Sequence, residues 1–127
     1  YDEIGNFREG FTWVELNYKY NFINQNGDLL SPNQWYDNVD SFREGFAKVK
    51  LNGEWNFINQ KGELINPNQW FDSVGFFREG FAWVKFNGET YYINGEGELY
   101  DENLRESVNG RRIDMIIEST LRKYLKK

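Results

Sequence analysis

The fold is decided by residues 36–70, which read YDNVDSFREGFAKVKLNGEWNFINQKGELINPNQW. The same pattern starts at Tyr1 and again at Phe71, so the chain contains three gapless copies of a 35-residue unit. The first two copies agree at 21 of 35 positions. Because a fixed period of this length is typical of repeat architectures, we divide the chain into three tandem β-repeats and a C-terminal segment, namely residues 1–35, 36–70, 71–105 and 106–127.

The middle of each unit has the pattern of a β-hairpin. Residues 46–51 alternate in character, Asn52-Gly53 supplies the two residues of a type I′ turn, and residues 54–58 form the returning strand. The third unit repeats this pattern around Asn87-Gly88. The first unit has Asn17-Tyr18 instead, and tyrosine is strained at a positive φ. We therefore expect a longer turn in the first hairpin.

Two further short strands complete each unit. In the second unit they are predicted at residues 64–65, after a polar turn at residues 59–62, and at residues 70–74, after a bend that contains Pro67. Three or four short strands in each unit make an all-β fold the economical packing. We predict an open array of three hairpin-based repeats. The alternative is a β-trefoil, because three units of this length also fit a closed pseudo-threefold barrel.

The C-terminal segment departs from the repeat. Glu102 and Arg105 replace the Pro and Trp of the earlier bends, and the apolar residues from Ile113 to Leu125 recur at helical spacing. We predict that residues 106–127 form an amphipathic helix that caps the third repeat. The first repeat has no equivalent cap, so we also expect self-association through the N-terminal repeat edge.

Composition excludes several classes of functional site. The chain of 127 residues contains no Cys and no His, which excludes thiolate nucleophiles, imidazole bases and Cys/His zinc sites. It has no apolar run near the roughly 20 residues of a membrane span. The net charge is −5, which disfavours a nucleic-acid partner. We therefore predict no catalytic residue, no cofactor, no bound metal and no nucleic-acid ligand.

The repeated pattern Tyr/Phe-Asp-x-Val-x-x-Phe-Arg-Glu-Gly-Phe-Ala-x-Val-Lys-x-Asn-Gly-x-Trp-x-Phe-Ile-Asn-x-x-Gly-x-Leu resembles the bacterial WG-repeat family. The likeness covers residues 1–105. The Trp-Gly dipeptide that names the family reads Trp55-Asn56 in the second unit, Tyr20-Asn21 in the first and Thr90-Tyr91 in the third, so the chain is a divergent member. The resemblance implies a tandem β-repeat that mediates interactions, without an enzymatic activity.

A second, weaker likeness lies within the third hairpin. Residues 83–97 carry the pattern Trp-Val-Lys-x-Asn-Gly-x-x-Tyr-Tyr-Ile-Asn-x-x-Gly, which is similar to one choline-binding cell-wall repeat. Those modules recur at about 20 residues, a different period. The likeness suggests that aromatic side chains of adjacent hairpins form a cage for a cationic ligand. We therefore keep a binding module for cell-wall or carbohydrate ligands as the alternative function.

Positions that are identical in all units indicate structure, because a stack needs the same groups in every repeat. Among them are Arg8, Arg43 and Arg78, which we expect to pair with Asp2, Asp37 and Asp72 or with loop carbonyls. Positions that vary between units are more informative about partners. The predicted partner-binding surface consists of Trp13, Tyr20, Lys48, Trp55, Trp83 and Lys85, which fall at equivalent hairpin positions. Interlocking of these aromatic rings between hairpins is the structural alternative.

The sequence therefore predicts a non-enzymatic protein-interaction or structural scaffold. Its partner would be a protein, and the binding surface would be carried by the repeats.

Overall fold

The computed structural model describes residues 1–101, and all regular structure within this range is β-strand. Short strands of two or three residues alternate with long hairpin strands of five or six residues. The strands are β1 (Glu3–Ile4), β2 (Phe11–Leu16), β3 (Lys19–Asn24), β4 (Asn38–Val39), β5 (Ala47–Leu51), β6 (Glu54–Ile58), β7 (Ser73–Val74), β8 (Phe81–Phe86), β9 (Glu89–Asn94) and β10 (Leu99–Asp101).

These strands form three small antiparallel sheets, one for each unit. The strand orders are β1-β2-β3, β4-β5-β6 and β7-β8-β9-β10. Each sheet is built on the hairpin that the sequence predicts, since β2 pairs with β3, β5 with β6 and β8 with β9. The all-β repeat architecture is therefore confirmed.

All three hairpins close with a two-residue turn. Asn52 and Gly53 have φ angles of 54° and 84°, as a type I′ turn requires. Asn17 and Tyr18 adopt φ angles of 53° and 65°. The expectation of a longer first turn was wrong, because Tyr18 takes the left-handed conformation and its side chain extends into solvent. The register of the surrounding strands outweighs the steric cost at this one residue.

The junctions between units are made by single residues that join one sheet to the next. Tyr36 exchanges both backbone hydrogen bonds with Tyr20, at 2.8 Å in each direction, and the residues after Tyr36 then pair with β5. Phe71 does the same with Trp55, at 2.8 and 2.9 Å. The strand predicted at residues 70–74 is thus divided between the end of one unit and the first strand of the next.

The apolar core lies at these junctions. A first cluster, between the first and second units, consists of Phe22, Tyr36, Phe42, Ala47, Val49 and Ile58. A second cluster, between the second and third units, consists of Phe57, Phe71, Val74, Phe77, Ala82, Val84 and Ile93. Because each cluster takes side chains from two units, the stability of one unit depends on its neighbour.

The strand orders are linear, and the three sheets do not close into a barrel within the described range. The β-trefoil alternative was therefore wrong. The predicted capping helix at residues 106–127 lies outside the described residues. No helix between residues 1 and 101 has the length and apolarity needed to cross a membrane.

Candidate functional site

The most regular feature of the surface is a tight turn formed by Arg-Glu-Gly-Phe in each unit. In the first unit, Arg8 and Phe11 exchange backbone hydrogen bonds at 2.7 and 3.0 Å, while Glu9 and Gly10 take φ angles of 53° and 88°. The equivalent Glu-Gly pairs of the other two units have nearly the same φ angles. Sequence analysis missed this second hairpin turn, although a Gly after an acidic residue in every unit is a signal for it.

The three turns bring their arginines to one open groove with a volume of about 1030 Å³. Residues of all three units line it, namely Arg8, Glu9, Phe42, Arg43, Glu44, Phe76, Phe77, Arg78, Phe81, Trp83 and Tyr92. We call this feature the basic groove. The side chains of Arg8, Arg43 and Arg78 are exposed, and none of them forms an ion pair with a residue in the range 1–101.

The expected pairing of these arginines with the repeated aspartates was therefore wrong. Asp2 accepts a hydrogen bond from the Asn17 backbone N–H at 2.9 Å, and Asp37 accepts one from the Asn52 N–H at 2.8 Å. Asp37 also forms an ion pair with Lys19 of the preceding unit. The hydrogen bond from Lys19, followed by that from the Asn52 N–H, lowers the pKa of the Asp37 carboxyl. Both aspartates thus fasten hairpin turns and leave the arginines for the groove.

Phe76 connects the basic groove to the predicted partner-binding surface. The Arg43 guanidinium lies 4.3 Å from the centre of the Phe76 ring, and the Lys48 ammonium lies 4.2 Å from it. The Phe76 ring is exposed. Sequence analysis missed Phe76, although its equivalents are Asn6 and Ser41, and variation at one repeat position was the signal used for the other surface residues.

The six residues of the predicted surface meet mainly as pairs within their own units. The rings of Trp13 and Tyr20 are 5.8 Å apart between centroids. The Lys48 ammonium lies 5.3 Å from the Trp55 ring centre, and Lys85 lies 5.8 Å from that of Trp83. Among the described residues, no ring or cation–π contact joins one of these pairs to another. The cross-unit link is instead the contact of Lys48 with Phe76.

Exposure differs along this surface. Trp83 and Lys85 are exposed, whereas the other four residues are half-buried. Lys50 lies 5.6 Å from the Trp55 ring centre, so this ring has two lysines within cation–π distance. The surface therefore presents ammonium and guanidinium groups on aromatic rings. Such a surface suits anionic groups that also offer apolar contact.

Trp13, Lys48 and Trp83 occupy equivalent positions, and the residue that packs under each of them differs according to which side chain is present. Gly5 lies under Trp13 and Gly75 under Trp83, and a Cβ at either glycine would collide with the indole ring. In the second unit the equivalent residues are Asp40 and Lys48, whose carboxylate and ammonium groups are 4.0 Å apart. Each unit thus carries a matched pair at these two positions.

The polar turn after each hairpin is closed by an asparagine side chain. Asn24 Oδ1 accepts hydrogen bonds from the backbone N–H groups of Asn26 and Asp28, at 2.9 and 3.0 Å. Asn59 and Asn94 make the equivalent bonds in their units. In the part of the chain that the structure describes, no three acidic side chains converge as a metal site would require.

Comparison with protein families supports the resemblance seen in the repeat. The model of the WG containing repeat family matches residues 1–20, 22–55 and 70–89, which together are more than half of the chain. No curated protein and no solved structure matches the chain. The matched segments include all three Arg-Glu-Gly-Phe turns and the predicted hairpin turns. The chain therefore belongs to the WG containing repeat family.

Proposed function

We propose that the chain is a non-enzymatic protein-interaction scaffold, and that its basic groove receives an acidic segment of a partner protein. The observation that carries this proposal is the convergence of Arg8, Arg43 and Arg78 on one groove. Guanidinium groups bind carboxylates with two parallel hydrogen bonds, which gives both strength and orientation. Membership of the WG containing repeat family accords with a binding or scaffold role.

The distribution of charge supports an anionic partner. The described part of the chain is acidic overall, yet most of its basic residues lie in the groove or on the adjoining surface: Arg8, Arg43, Lys48, Lys50, Arg78 and Lys85. Glu9 and Glu44 also line the groove. Their carboxylate oxygens accept hydrogen bonds from backbone N–H groups of the next unit, which offsets part of their negative charge.

The alternative function is a module that binds cell-wall or carbohydrate ligands through aromatic rings. The exposed rings of Phe76 and Trp83 favour this alternative, because sugars stack on such surfaces. A cationic ligand such as choline has less support. Lysine or arginine groups of the chain already lie over the rings of Trp55, Phe76 and Trp83, and they would repel a second cation.

A direct test uses fluorescence anisotropy with a labelled peptide of alternating glutamate and phenylalanine. We expect binding that weakens with added salt, because exposed charge pairs are screened. Arg43→Glu should weaken binding at least ~10-fold, since it removes one bidentate pair and adds repulsion. Lys61→Glu is the matched control. Lys61 has the same charge but lies in the polar turn of the second unit, outside the groove.

Three competitors separate the alternatives. Choline and chitohexaose test the carbohydrate function, and a single-stranded oligonucleotide tests nucleic-acid binding. If chitohexaose or choline changes the tryptophan fluorescence while the acidic peptide does not bind, the alternative function replaces the proposal. Equal loss of peptide binding in Arg43→Glu and Lys61→Glu would also contradict it, because the groove would then have no special role.

A further inference from the structure

The Arg-Glu-Gly-Phe turns of successive units are joined by the side chain of a glutamate. The Glu9 carboxylate accepts hydrogen bonds from the backbone N–H groups of Glu44 and Gly45, both at 2.8 Å. The Glu44 carboxylate accepts the equivalent bonds from Glu79 and Gly80, at 2.8 and 2.9 Å. Because the two junctions use the same atoms at nearly the same distances, the turns follow one another at a nearly constant interval.

The reach of the glutamate limits the distance between neighbouring turns. A fully extended glutamate side chain places its carboxylate oxygens within about 5 Å of its own Cα, and the N–Cα bond of the donor residue adds about 1.5 Å. With the 2.8 Å hydrogen bond included, the Cα atoms of Glu9 and Glu44 lie no more than about 9 Å apart. The same turn holds the preceding arginine in each unit, since Arg8, Arg43 and Arg78 each exchange backbone hydrogen bonds with the phenylalanine three residues later. The arginines therefore repeat at this short interval.

The interval between arginines matches one spacing of side chains along an extended peptide. Neighbouring residues of a strand lie about 3.3 Å apart and point to opposite faces, whereas alternate residues lie about 6.7 Å apart and share a face. Residues three apart are separated by about 10 Å, which exceeds the interval, and they point to opposite faces again. An α-helix brings residues four apart to within about 6 Å along its axis but rotates each by about 40° from the last, so three of them diverge. The interval therefore favours side chains at alternate positions of an extended segment.

The middle arginine has a support that positions its guanidinium group. The Arg43 guanidinium lies 4.3 Å from the centre of the exposed Phe76 ring. Ser41 stands at the equivalent position of the second unit, so Arg8 receives no such ring from that position. A guanidinium that already rests on a ring has less rotamer freedom to lose when it binds a carboxylate. Arg43 is therefore the arginine best prepared to hold an anionic group, and it lies at the centre of the series.

We propose that the basic groove binds an extended segment with acidic residues at alternate positions, each pairing with the arginine of one unit. The inference rests on the proposed function and specifies the conformation and charge spacing of the partner segment. Arg8, Arg43 and Arg78 are exposed and form no ion pair within residues 1–101, so their charges are available to such a ligand. Bidentate pairing requires a defined geometry, so the register between the two periodic structures controls affinity. A diffuse positive field would respond only to the number of charges.

The first test measures the binding of three labelled heptapeptides to the full 127-residue chain by fluorescence anisotropy. Each peptide contains three glutamates and four threonines, in the orders Glu-Thr-Glu-Thr-Glu-Thr-Thr, Glu-Glu-Glu-Thr-Thr-Thr-Thr and Glu-Thr-Thr-Glu-Thr-Thr-Glu. The alternating peptide should bind at least ~10-fold more tightly than either of the others. Equal affinities would overturn the inference while the proposed function stands. Absence of binding by all three would also overturn the inference, and the peptide of glutamate and phenylalanine would then decide on the proposed function.

Peptides with two glutamates determine the register on the groove. Glutamates two residues apart should span neighbouring arginines, and glutamates four residues apart should span Arg8 and Arg78. Arg43→Gln should therefore weaken binding of the first peptide at least ~10-fold and that of the second by no more than ~3-fold. Arg78→Gln should have the opposite effect, because the first peptide can still use Arg8 and Arg43. Lys61→Gln removes the same charge outside the groove and should change neither affinity.

Two outcomes of this second test would overturn the inference. If Arg43→Gln and Arg78→Gln weaken both peptides equally, the arginines act as a diffuse field without register. If the peptide with glutamates four residues apart loses its affinity in Arg43→Gln and keeps it in Arg78→Gln, the segment binds as a helix, whose residues four apart would span neighbouring units.

Discussion

The second and third units carry different residues at the inner position of the returning hairpin strand. In the second unit this position is Asn56, which is fully buried. Its Nδ2 group donates hydrogen bonds to the carbonyls of Asn66 and Gln69, at 2.8 and 3.3 Å, and its Oδ1 accepts one from the Phe57 N–H at 2.8 Å. In the third unit the position is Tyr91, whose hydroxyl donates to an exposed glutamate.

The path of the chain differs accordingly. After the second hairpin only one residue pair, Ile58 and Leu64, forms a bridge before the chain bends away toward the next unit. After the third hairpin, β10 stays paired with β9 for three residues. A buried amide that binds two carbonyls fixes the bend, because unpaired buried carbonyls are costly. The difference teaches that Asn56, which stands at the Gly position of the family's Trp-Gly dipeptide, directs the chain into another repeat.

Removal of this amide should give the largest effect. Asn56→Ala leaves the Gln69 carbonyl and the Phe57 N–H without their partner, and it leaves the Asn66 carbonyl with only the long bond from the Gln69 N–H at 3.4 Å. We therefore expect the free energy of unfolding to fall by about 2 to 4 kcal/mol. Urea denaturation followed by tryptophan fluorescence measures this loss of stability. Tyr91→Phe, which removes the hydroxyl that donates to the exposed Glu89, should cost less than about 0.5 kcal/mol. Equal losses in the two variants would contradict the comparison.

The third unit has its own substitute for the missing amide. The Tyr100 hydroxyl lies 2.7 Å from Asn94 Nδ2 and 3.2 Å from Glu98 Oε1, a network that Leu30 and Ile65 cannot form at the equivalent positions. We expect Tyr100→Phe to lower the free energy of unfolding by about 1 kcal/mol. Thermal unfolding checks this result. An unchanged melting temperature would show that the polar turn needs no support from β10.

The hairpin turns give a smaller contrast between the first and second units. Tyr18 has a φ of 65° where the second unit has Gly53. Glycine tolerates this conformation without steric cost. Tyr18→Gly should therefore raise the free energy of unfolding by about 0.5 to 1 kcal/mol. The reverse change, Gly53→Tyr, should lower it by a similar amount. A destabilised Tyr18→Gly variant would mean that the tyrosine ring makes a contribution that outweighs its strain.

The smallest effect at neutral pH concerns Tyr36, the residue to which the first closing loop leads. Burial raises the pKa of the Tyr36 hydroxyl above its ordinary value of about 10. The folded state thus favours the neutral hydroxyl. The contribution of this preference to the free energy of unfolding is complete below pH 10 and is lost as pH rises through the folded pKa. Tyr36→Phe places at this position the residue that the next unit has as Phe71. The free energy of unfolding of this variant should fall less steeply with pH above pH 10 than that of the native chain. Equal alkaline slopes in urea denaturation would contradict this.

The repeat period, the hairpins and their turns could be predicted because they depend on residues close together in sequence. The alternation of residues 46–51 and the Asn52-Gly53 pair determine a hairpin whatever surrounds it. The role of Asn56 could not be predicted in this way. A polar residue in a strand gives no sign of being buried until the loop that it binds is placed against it.

The candidate site was predicted only in part for a related reason. The pairing of Lys48 with Trp55 follows from hairpin register, and the sequence did indicate both residues. The basic groove depends instead on how successive units stack, which a repeat pattern does not specify. The same limit explains the wrong pairing of the arginines with aspartates, since Asp37 binds Lys19 across a junction.

Each outer side chain and the residue beneath it form a matched pair, and these pairs limit how such an array can change its length over evolution. Gly5 with Trp13, Asp40 with Lys48 and Gly75 with Trp83 each lie within a single unit. Duplication or loss of a whole 35-residue segment therefore keeps every pair together. A genetic crossover between the two positions of a pair would place an aspartate under an indole ring, where there is no room for a Cβ. Recombination of these repeats should consequently be tolerated at unit boundaries and selected against within the first third of a unit.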